Sequence, residues 1–403
     1  MPLSDSPQDR ASARPTEQDL LRLFMKCGVR DILSVPCSIT DTWQWLVAQA
    51  AREQRLRLVM TTHEGNLAGV ASGIWLGTGR AALVHLQNSG LFNAGDGFVT
   101  LAGAEVYRIP IAALVTWRGW NASDSSEPHQ AVGHRTEELC RLIFGPEAII
   151  AGDRDGRGTP EALVSVMAAV RAGGLGVLRL SPDAFHRTAM NGLPSSFARV
   201  PREWLEHLRQ QKGELSLPPT LEFHHPPARD AALLAIAAAH PQAAMVYANG
   251  FTSRAAQARV DRPGSFYNVG CMGSSLAVGW GLATSRPDLE VVVVDGDQNA
   301  QMSCMKDQLC AHYPPNLHWY ILDNHLGASV GTAESLPLSP FYQQLARVIE
   351  TRPDEPGSFI HPRVRAQGAN MPTTLPNDES PRLAHLALGF RAWVDSRTEG
   401  AAP

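Results

Sequence analysis

The sequence predicts an α/β protein made of two parallel-sheet domains, and three observations carry that prediction. Apolar β-type runs alternate with helix-type segments in both halves of the chain, the order expected of parallel strands joined by crossover helices. The runs from Val291 to Val294 and from Leu317 to Leu322 are almost unbroken in apolar character, as strands buried on both faces are. Between the halves, from Ser181 to about Arg229, the composition turns to Pro, Arg, Glu and His, including Pro218-Pro219 and His224-His225-Pro226-Pro227, which reads as a surface linker. A chain of 403 residues is long enough for two ordinary domains on either side of it.

Composition narrows the class of protein. With 44% hydrophobic residues and mixed charges the chain reads as soluble and globular. A formal net charge of −4 and the lack of a Lys/Arg run argue against a nucleic-acid partner. No stretch approaches the about 18 unbroken apolar residues of a membrane helix. The N-terminus lacks the basic and apolar regions of a signal peptide, so residues 1–17 read as a disordered tail. Cys27, Cys37, Cys140, Cys271, Cys304 and Cys310 show no metal-type pairing and suggest reduced, mostly buried thiols in a cytoplasmic protein.

Taken in order, Thr16 caps a helix whose Leu20, Leu21 and Phe24 form one apolar face and which stops at Gly28. Strands follow at Asp31 to Val35, Leu56 to Met60, Ala81 to Leu86, Ile111 to Thr116 and Gly174 to Leu180. The predicted helix from Glu64 to Leu76 carries Gly65, Ala68, Gly69, Ala71, Ser72 and Gly73. Each interior Gly costs a helix roughly 1 kcal/mol, so close approach by another backbone is the natural reason for them. In the second half, Asp230 to His240 reads as a helix and Met245 to Ala248 as a strand. Asn249 to Arg254 reads as the turn into the next helix. A crossover helix from Met302 to Tyr313 joins the two apolar runs, and Cys304 and Cys310 fall within it. His224-His225 lack partner acids at ligand spacing and are not read as a metal site.

Two clusters carry chemistry. At the ends of the paired apolar runs, Asp297, Asn324 and a turn carbonyl near Leu326 offer three hard oxygens, which suits Mg²⁺ beside phosphates. In the first half, the Gln87-Asn88-Ser89-Gly90 turn at a strand's end offers amides, a hydroxyl and backbone N–H groups able to hold an anion.

These segments together resemble a known family. Gly296-Asp297 followed by Asn324 resembles the diphosphate-binding motif of thiamine diphosphate enzymes, with Gln298 where the family usually has its second Gly. Glu64, after Thr62-His63, matches their catalytic glutamate. Val84 to Asn93 resembles the Met-Gln-Asn-Ser-Gly-Leu-Gly-Asn signature of phosphonopyruvate and sulfopyruvate decarboxylases. Val35-Pro36-Cys37-Ser38 stands where those have Val-Pro-Asp-Ser. Trp117-Arg118-Gly119 and Glu127-Pro128-His129-Gln130 are similar to their Trp-Arg-Gly and Asp-Glu-Pro-Gln-His, with His and Gln exchanged. Gly250, Thr252 and Ser253 match a cofactor-contacting turn. Gly270 and Met272 match the carbonyl and the bulky residue that hold the cofactor's bent form. After Asn324 the family's histidine is displaced two positions, to His325, and Ser329-Val330-Gly331 survives. Only Phe341 to Glu350 separates this region from Pro356-Gly357-Ser358-Phe359, so a helix and strand look curtailed.

The resemblance implies two thiamine diphosphate-binding-fold domains, a pyrimidine-binding one over 18–185 and a diphosphate-binding one over 229–403 with a shortened C-terminal region, joined by a linker over 186–228. It implies thiamine diphosphate and Mg²⁺ as cofactors, the latter on Asp297, Asn324 and Leu326, and a homodimer or homotetramer. Glu64 would contact the cofactor's aminopyrimidine ring. Ser38, Asn88, Ser89, Arg118 and His129 would face a small anionic 2-oxo acid substrate. The activity implied is decarboxylation of phosphonopyruvate to phosphonoacetaldehyde and CO₂. Cys37, Gln298 and the displaced histidine keep sulfopyruvate decarboxylation or carboligation open, and the short C-terminal region keeps open a catalytically silent binding subunit.

Overall fold

The computed structural model describes residues 14–121, 126–152, 159–181, 184, 217–327, 333–353 and 382–399. The chain divides into two compact units, the first holding Met1–Ala71, Arg80–Ala104 and Arg108–Val200, and the second holding Ser72–Gly79, Glu105–Tyr107 and Pro201–Pro403. The predicted linker lies mostly outside the described residues, as do Ser329 to Gly331 and Pro356 to Phe359.

In the first unit, six strands form one sheet in the order β2-β1-β3-β4-β6-β5: β1 Asp31–Ser34, β2 Arg57–Met60, β3 Leu83–Gln87, β4 Ile111–Thr116, β5 Ile149–Ala151 and β6 Leu175–Leu180. Every pairing is parallel. The first helix, Glu17–Lys26, starts in a full capping box. The Thr16 hydroxyl accepts from the Asp19 N–H at 3.1 Å, and the Asp19 carboxylate accepts from the Thr16 N–H at 3.2 Å. Its apolar face packs Leu20, Leu21 and Phe24 into a core with Trp43, Leu46 and Val47 of the Asp41–Arg52 helix, which sequence reading passed over. Glu64 does not open an α-helix directly. It starts a single 3-10 turn, Glu64–Asn66, before the α-helix Leu67–Thr78, and His63 Nδ1 caps that turn by accepting from the Gly65 N–H at 3.0 Å.

The second unit has a five-stranded parallel sheet in the order β13-β10-β9-β7-β8: β7 Ala244–Tyr247, β8 Ser265–Tyr267, β9 Val291–Gly296, β10 Leu317–Asp323 and β13 Arg347–Glu350. A short antiparallel ribbon, β11 Leu326–Gly327 with β12 Ala333–Glu334, follows β10. The two apolar runs are neighbours, with Val291 to Gly296 in register with Leu317 to Leu322. The small residues of the Leu67–Thr78 helix do admit another backbone: a Cβ on Gly73 would stand 2.1 Å from the Val278 carbonyl oxygen, in the Ser275–Ser285 helix of this same chain.

Two expectations need correction. The crossover is not one helix from Met302 to Tyr313 but two short ones, Asp297–Met302 and Lys306–Ala311. Cys304 sits at the break between them and is exposed, as is Cys310, so only Cys37 and Cys140 are buried thiols; none of the six cysteines is in a disulfide. The end of the chain keeps a six-residue helix, Pro340–Leu345, the four-residue edge strand β13, and a helix from Arg382 to Glu399 whose Phe390 and Val394 are buried. Among the described residues no helix is long and apolar enough to cross a membrane.

Candidate active site

In an open parallel sheet, ligands bind outside the carboxyl ends of the strands where the strand order reverses. In the second unit that point lies between β7 and β9. A pocket opens there, lined by Asn249, Gly250, Phe251 and Thr252 after β7, Gly296, Asp297, Gln298 and Asn299 after β9, and Asn324, Leu326 and Gly327 after β10, with Met272 and Arg229 completing the wall. The sheet thus collects Gly250, Thr252, Met272, Gly296, Asp297, Gln298, Asn324 and Leu326 in one cavity. Ser253 is not part of that wall. Its hydroxyl is buried and donates to the Ala248 carbonyl at 2.6 Å, so it anchors the helix start. Gly270 is also absent from the wall.

The Asp297 carboxylate accepts a hydrogen bond from the Ser335 hydroxyl, beside the short ribbon. Burial pushes its pKa up, Ser335 and the backbone oppose that, and the nearby Asp323 charge raises it further. This carboxylate, the Asn324 amide and the Leu326 carbonyl belong to residues that line one cavity, and they are the hard-oxygen types that a divalent cation takes. Arg229, only 9% exposed, adds a cation to the wall, its guanidinium carbon 5.6 Å from the centroid of the Phe251 ring. A pocket with hard oxygens for a metal and a buried guanidinium suits a phosphorylated ligand.

Behind the wall is a network that sequence reading missed. Asp295 is fully buried and accepts from Trp319 Nε1 at 2.7 Å and from Asn299 Nδ2 at 2.5 Å. Burial raises its pKa to about 6 in spite of those donors. The Asn299 amide oxygen accepts in turn from the Gly273 N–H at 2.9 Å. The loop it grips takes left-handed backbone at Gly270 (φ 83°), Cys271 (φ 39°) and Gly273 (φ 86°), which explains both glycines and presents Met272 to the cavity. The signal available in sequence was the four-residue interval from Asp295 to Asn299 across a strand-to-helix turn. Gln298 occupies the second position of the Asp297–Met302 helix, so a side chain there meets no backbone penalty.

In the first unit, Glu64 Oε2 accepts from Asn93 Nδ2 at 3.0 Å. A Cβ on Gly90 would lie 2.6 Å from Glu64 Cγ, so the Gly in the Gln-Asn-Ser-Gly turn makes room for this carboxylate. Asn88 is fully buried. Its amide donates to the Arg118 carbonyl at 2.9 Å and to Thr136 Oγ1 at 2.7 Å, and its oxygen accepts from the Arg118 N–H at 3.3 Å. Those bonds make it a clamp on the Trp117–Gly119 turn, not a side chain open to substrate. Ser89 accepts from Gln87 Nε2 at 2.7 Å, and Arg118 Nη2 lies 2.9 Å from His129 Nδ1. Arginine has no acceptor to offer, so Nδ1 accepts and a neutral His129 carries its proton on Nε2. Cys37 is buried and takes a hydrogen bond from the Thr116 hydroxyl at 3.1 Å. The position of the Ser38 side chain lies outside the described residues.

Known proteins match both units. Residues 15–137 match the thiamine pyrophosphate enzyme N-terminal TPP binding domain, and residues 249–358 match the C-terminal TPP binding domain of the same enzymes. A phosphonopyruvate decarboxylase of Streptomyces viridochromogenes is 31% identical over 79% of this chain and 76% of its own length, and one of Streptomyces hygroscopicus is 32% identical over 79% and 75%. The sulfopyruvate decarboxylase subunit beta of Methanothermobacter thermautotrophicus is 38% identical over 21% of this chain and 45% of its own. Among solved structures, a thiamin diphosphate-dependent enzyme of Mycobacterium smegmatis superposes with a TM-score of 0.60 at 12% identity, covering 84% of this chain and 100% of that one. A 4-hydroxybenzoylformate decarboxylase of Rhodococcus jostii superposes with a TM-score of 0.59 at 13% identity, covering 84% and 99%. Both units therefore have the thiamine diphosphate-enzyme fold. The chain belongs to the thiamine diphosphate-dependent 2-oxo acid decarboxylases of the phosphonopyruvate and sulfopyruvate decarboxylase family, and is a carboxy-lyase.

Proposed function

We propose that the protein decarboxylates phosphonopyruvate to phosphonoacetaldehyde and CO₂, with thiamine diphosphate and Mg²⁺. The observation that carries the substrate is the identity of 31% and 32% to two phosphonopyruvate decarboxylases across three quarters of their length. In this reading residues 18–185 bind the aminopyrimidine and 229–403 bind the diphosphate, in a cytoplasmic homodimer or homotetramer.

A 2-oxo acid resists losing CO₂ because the electron pair of the broken bond has nowhere to go. The cofactor, when bound, supplies the electron sink. The chain's residues bind, orient and move protons. Asp297, the Asn324 amide oxygen and the Leu326 carbonyl hold Mg²⁺, and Gly250, Thr252, Ser253, Gly270, Met272, Gly296 and Gln298 belong to the cofactor's surroundings, Ser253 and Gly270 from behind the wall. Glu64 hydrogen-bonds the cofactor's aminopyrimidine ring, with Asn93 fixing its orientation. Ser38, Ser89, Arg118 and His129 serve the substrate's charged groups, Asn88 by fixing the Arg118 turn. Once CO₂ has left, a proton at the former keto carbon completes the aldehyde, and His129, hydrogen-bonded to Arg118, belongs to the substrate's surroundings.

The test is cofactor-dependent CO₂ release from phosphonopyruvate, sulfopyruvate and pyruvate in parallel, with product identification. A kcat/KM for phosphonopyruvate well above the others supports the reading. A preference for sulfopyruvate, whose decarboxylase subunit also matches this chain, replaces the substrate but keeps the chemistry.

A further inference from the structure

The amino-terminal end of the second sheet carries a cluster that the decarboxylase chemistry does not use. His240 caps the Arg229–Ala239 helix, Glu290 precedes β9, and His318 is the second residue of β10. These three residues offer ligand atoms that all lie within 4.8 Å of one another. The pocket lies past the opposite ends of the same strands.

The hydrogen-bond pattern shows what the cluster lacks. The Tyr320 hydroxyl donates to the Pro219 carbonyl at 3.2 Å, and its oxygen lies 2.9 Å from His240 Nε2. A carbonyl only accepts, so the single hydroxyl proton goes to Pro219 and Nε2–H donates to Tyr320. A neutral His240 then has a bare lone pair on Nδ1, 2.7 Å from Glu290 Oε1, which has no proton to give. His318 Nε2 lies 3.2 Å from the same oxygen. Two acceptors facing each other at that distance need a proton or a cation between them. Arg262 fixes the His240 main chain by donating to its carbonyl at 2.7 Å, and the Glu290 carbonyl accepts from the Ala244 N–H at 2.8 Å, so the ligands rest on rigid elements.

We propose that His240 Nδ1, Glu290 and His318 Nε2 form a structural site for a zinc-type transition-metal dication, separate from the Mg²⁺ of the cofactor pocket. Two imidazoles and one carboxylate match the donor preference of zinc, not of Mg²⁺. The Tyr320 contact supplies the second bond that metal-bound histidines usually make through their other nitrogen. Glu290 is 38% exposed, which leaves an entry path and room for water as a fourth ligand. The ion would tie the helix end, the edge of β9 and β10 together.

The test uses the full chain stripped with chelator and reloaded with excess Mg²⁺ and thiamine diphosphate, then titrated with Zn²⁺ by calorimetry and with Co²⁺ by visible absorption. Wild type and Asp297→Asn each bind one equivalent. Glu290→Gln and His318→Gln weaken binding by more than about 100-fold and Tyr320→Phe by about tenfold, ligand loss exceeding the 10- to 100-fold typical of an outer partner. Zinc-free wild type and Glu290→Gln, both reloaded with Mg²⁺ and thiamine diphosphate, keep the holoenzyme's turnover. Circular dichroism and metal-free melting show that the variants fold, and if one does not, the other carries the test. Absence of saturable Zn²⁺ binding, or binding unchanged in both Glu290→Gln and His318→Gln, overturns the site and leaves a proton shared between His240 and Glu290.

Discussion

The two ends of the second sheet are made from the same strands and do opposite things. At the carboxyl ends of β7, β9 and β10 the chain turns sharply through Gly250 (φ 79°) and His325 (φ 60°), and polar groups face an open cavity. At the amino ends, His240, Glu290 and His318 face one another. Parallel strands put every strand-to-helix turn on one side, so ligand-facing polar groups accumulate there. The opposite side receives helix ends, whose polar groups can satisfy one another. One consequence is that the chemistry at one end should tolerate damage at the other.

The largest effect should come from a third place, the Glu64 carboxylate, and it sets the scale. Glu64→Gln should lower kcat by about 10² to 10⁴, the range for a lost proton-transfer group, while calorimetry still finds the cofactor bound. Substantial turnover at saturating cofactor would remove Glu64 from its role. Asp297→Asn should weaken Mg²⁺-dependent cofactor binding by about 100-fold, and His318→Gln should leave that affinity alone; equal losses in both would dissolve the contrast between the two ends. Gly273→Ala places a Cβ 2.6 Å from the Met302 carbonyl oxygen at φ 86° and should cost about 1–3 kcal/mol in chemical denaturation, with the pocket loosening in step.

Asp295 gives a pH test. Its pKa is raised to about 6, so the folded protein holds a proton that the unfolded chain has already released. The stability from this group is therefore full below the ordinary aspartate range and is lost as pH rises to about 6. Urea unfolding of wild type should show that slope, and Asp295→Asn should lack it. Gln298→Gly should be the mildest change, about 0.5 kcal/mol from helix propensity, because the residue's helical backbone has no need of Gly. A marked gain in cofactor affinity in that variant would mean that the Gln298 side chain obstructs the pocket.

The same contrast explains what the sequence made legible. The cofactor pocket could be read because strand-end motifs are local: Gly296 and Asp297, like Gly250 and Thr252, sit within a few positions of an apolar run. The parallel sheets followed from the same runs, and the register of β9 on β10 agreed with them. The broken crossover was hidden because Ser303 to Met305 contains no Pro or Gly to announce a stop. Asn88 looked like a substrate ligand because a polar residue in a turn shows its type but not its partners, and those partners, Arg118 and Thr136, are distant in sequence. His240, Glu290 and His318 span a longer stretch of chain still, and no spacing rule links them, whereas the adjacent His224-His225 drew attention by proximity alone.

The Trp319–Asp295 hydrogen bond gives the protein an optical reporter of its own. An indole held at 2.7 Å from a carboxyl group senses that group's charge, and here the carboxyl belongs to the network that grips the Met272 loop. The difference in tryptophan emission between wild type and Asp295→Asn should titrate with a midpoint near pH about 6, isolating one indole from the other eight. Cofactor binding that shifts this midpoint would be visible as light, without any turnover.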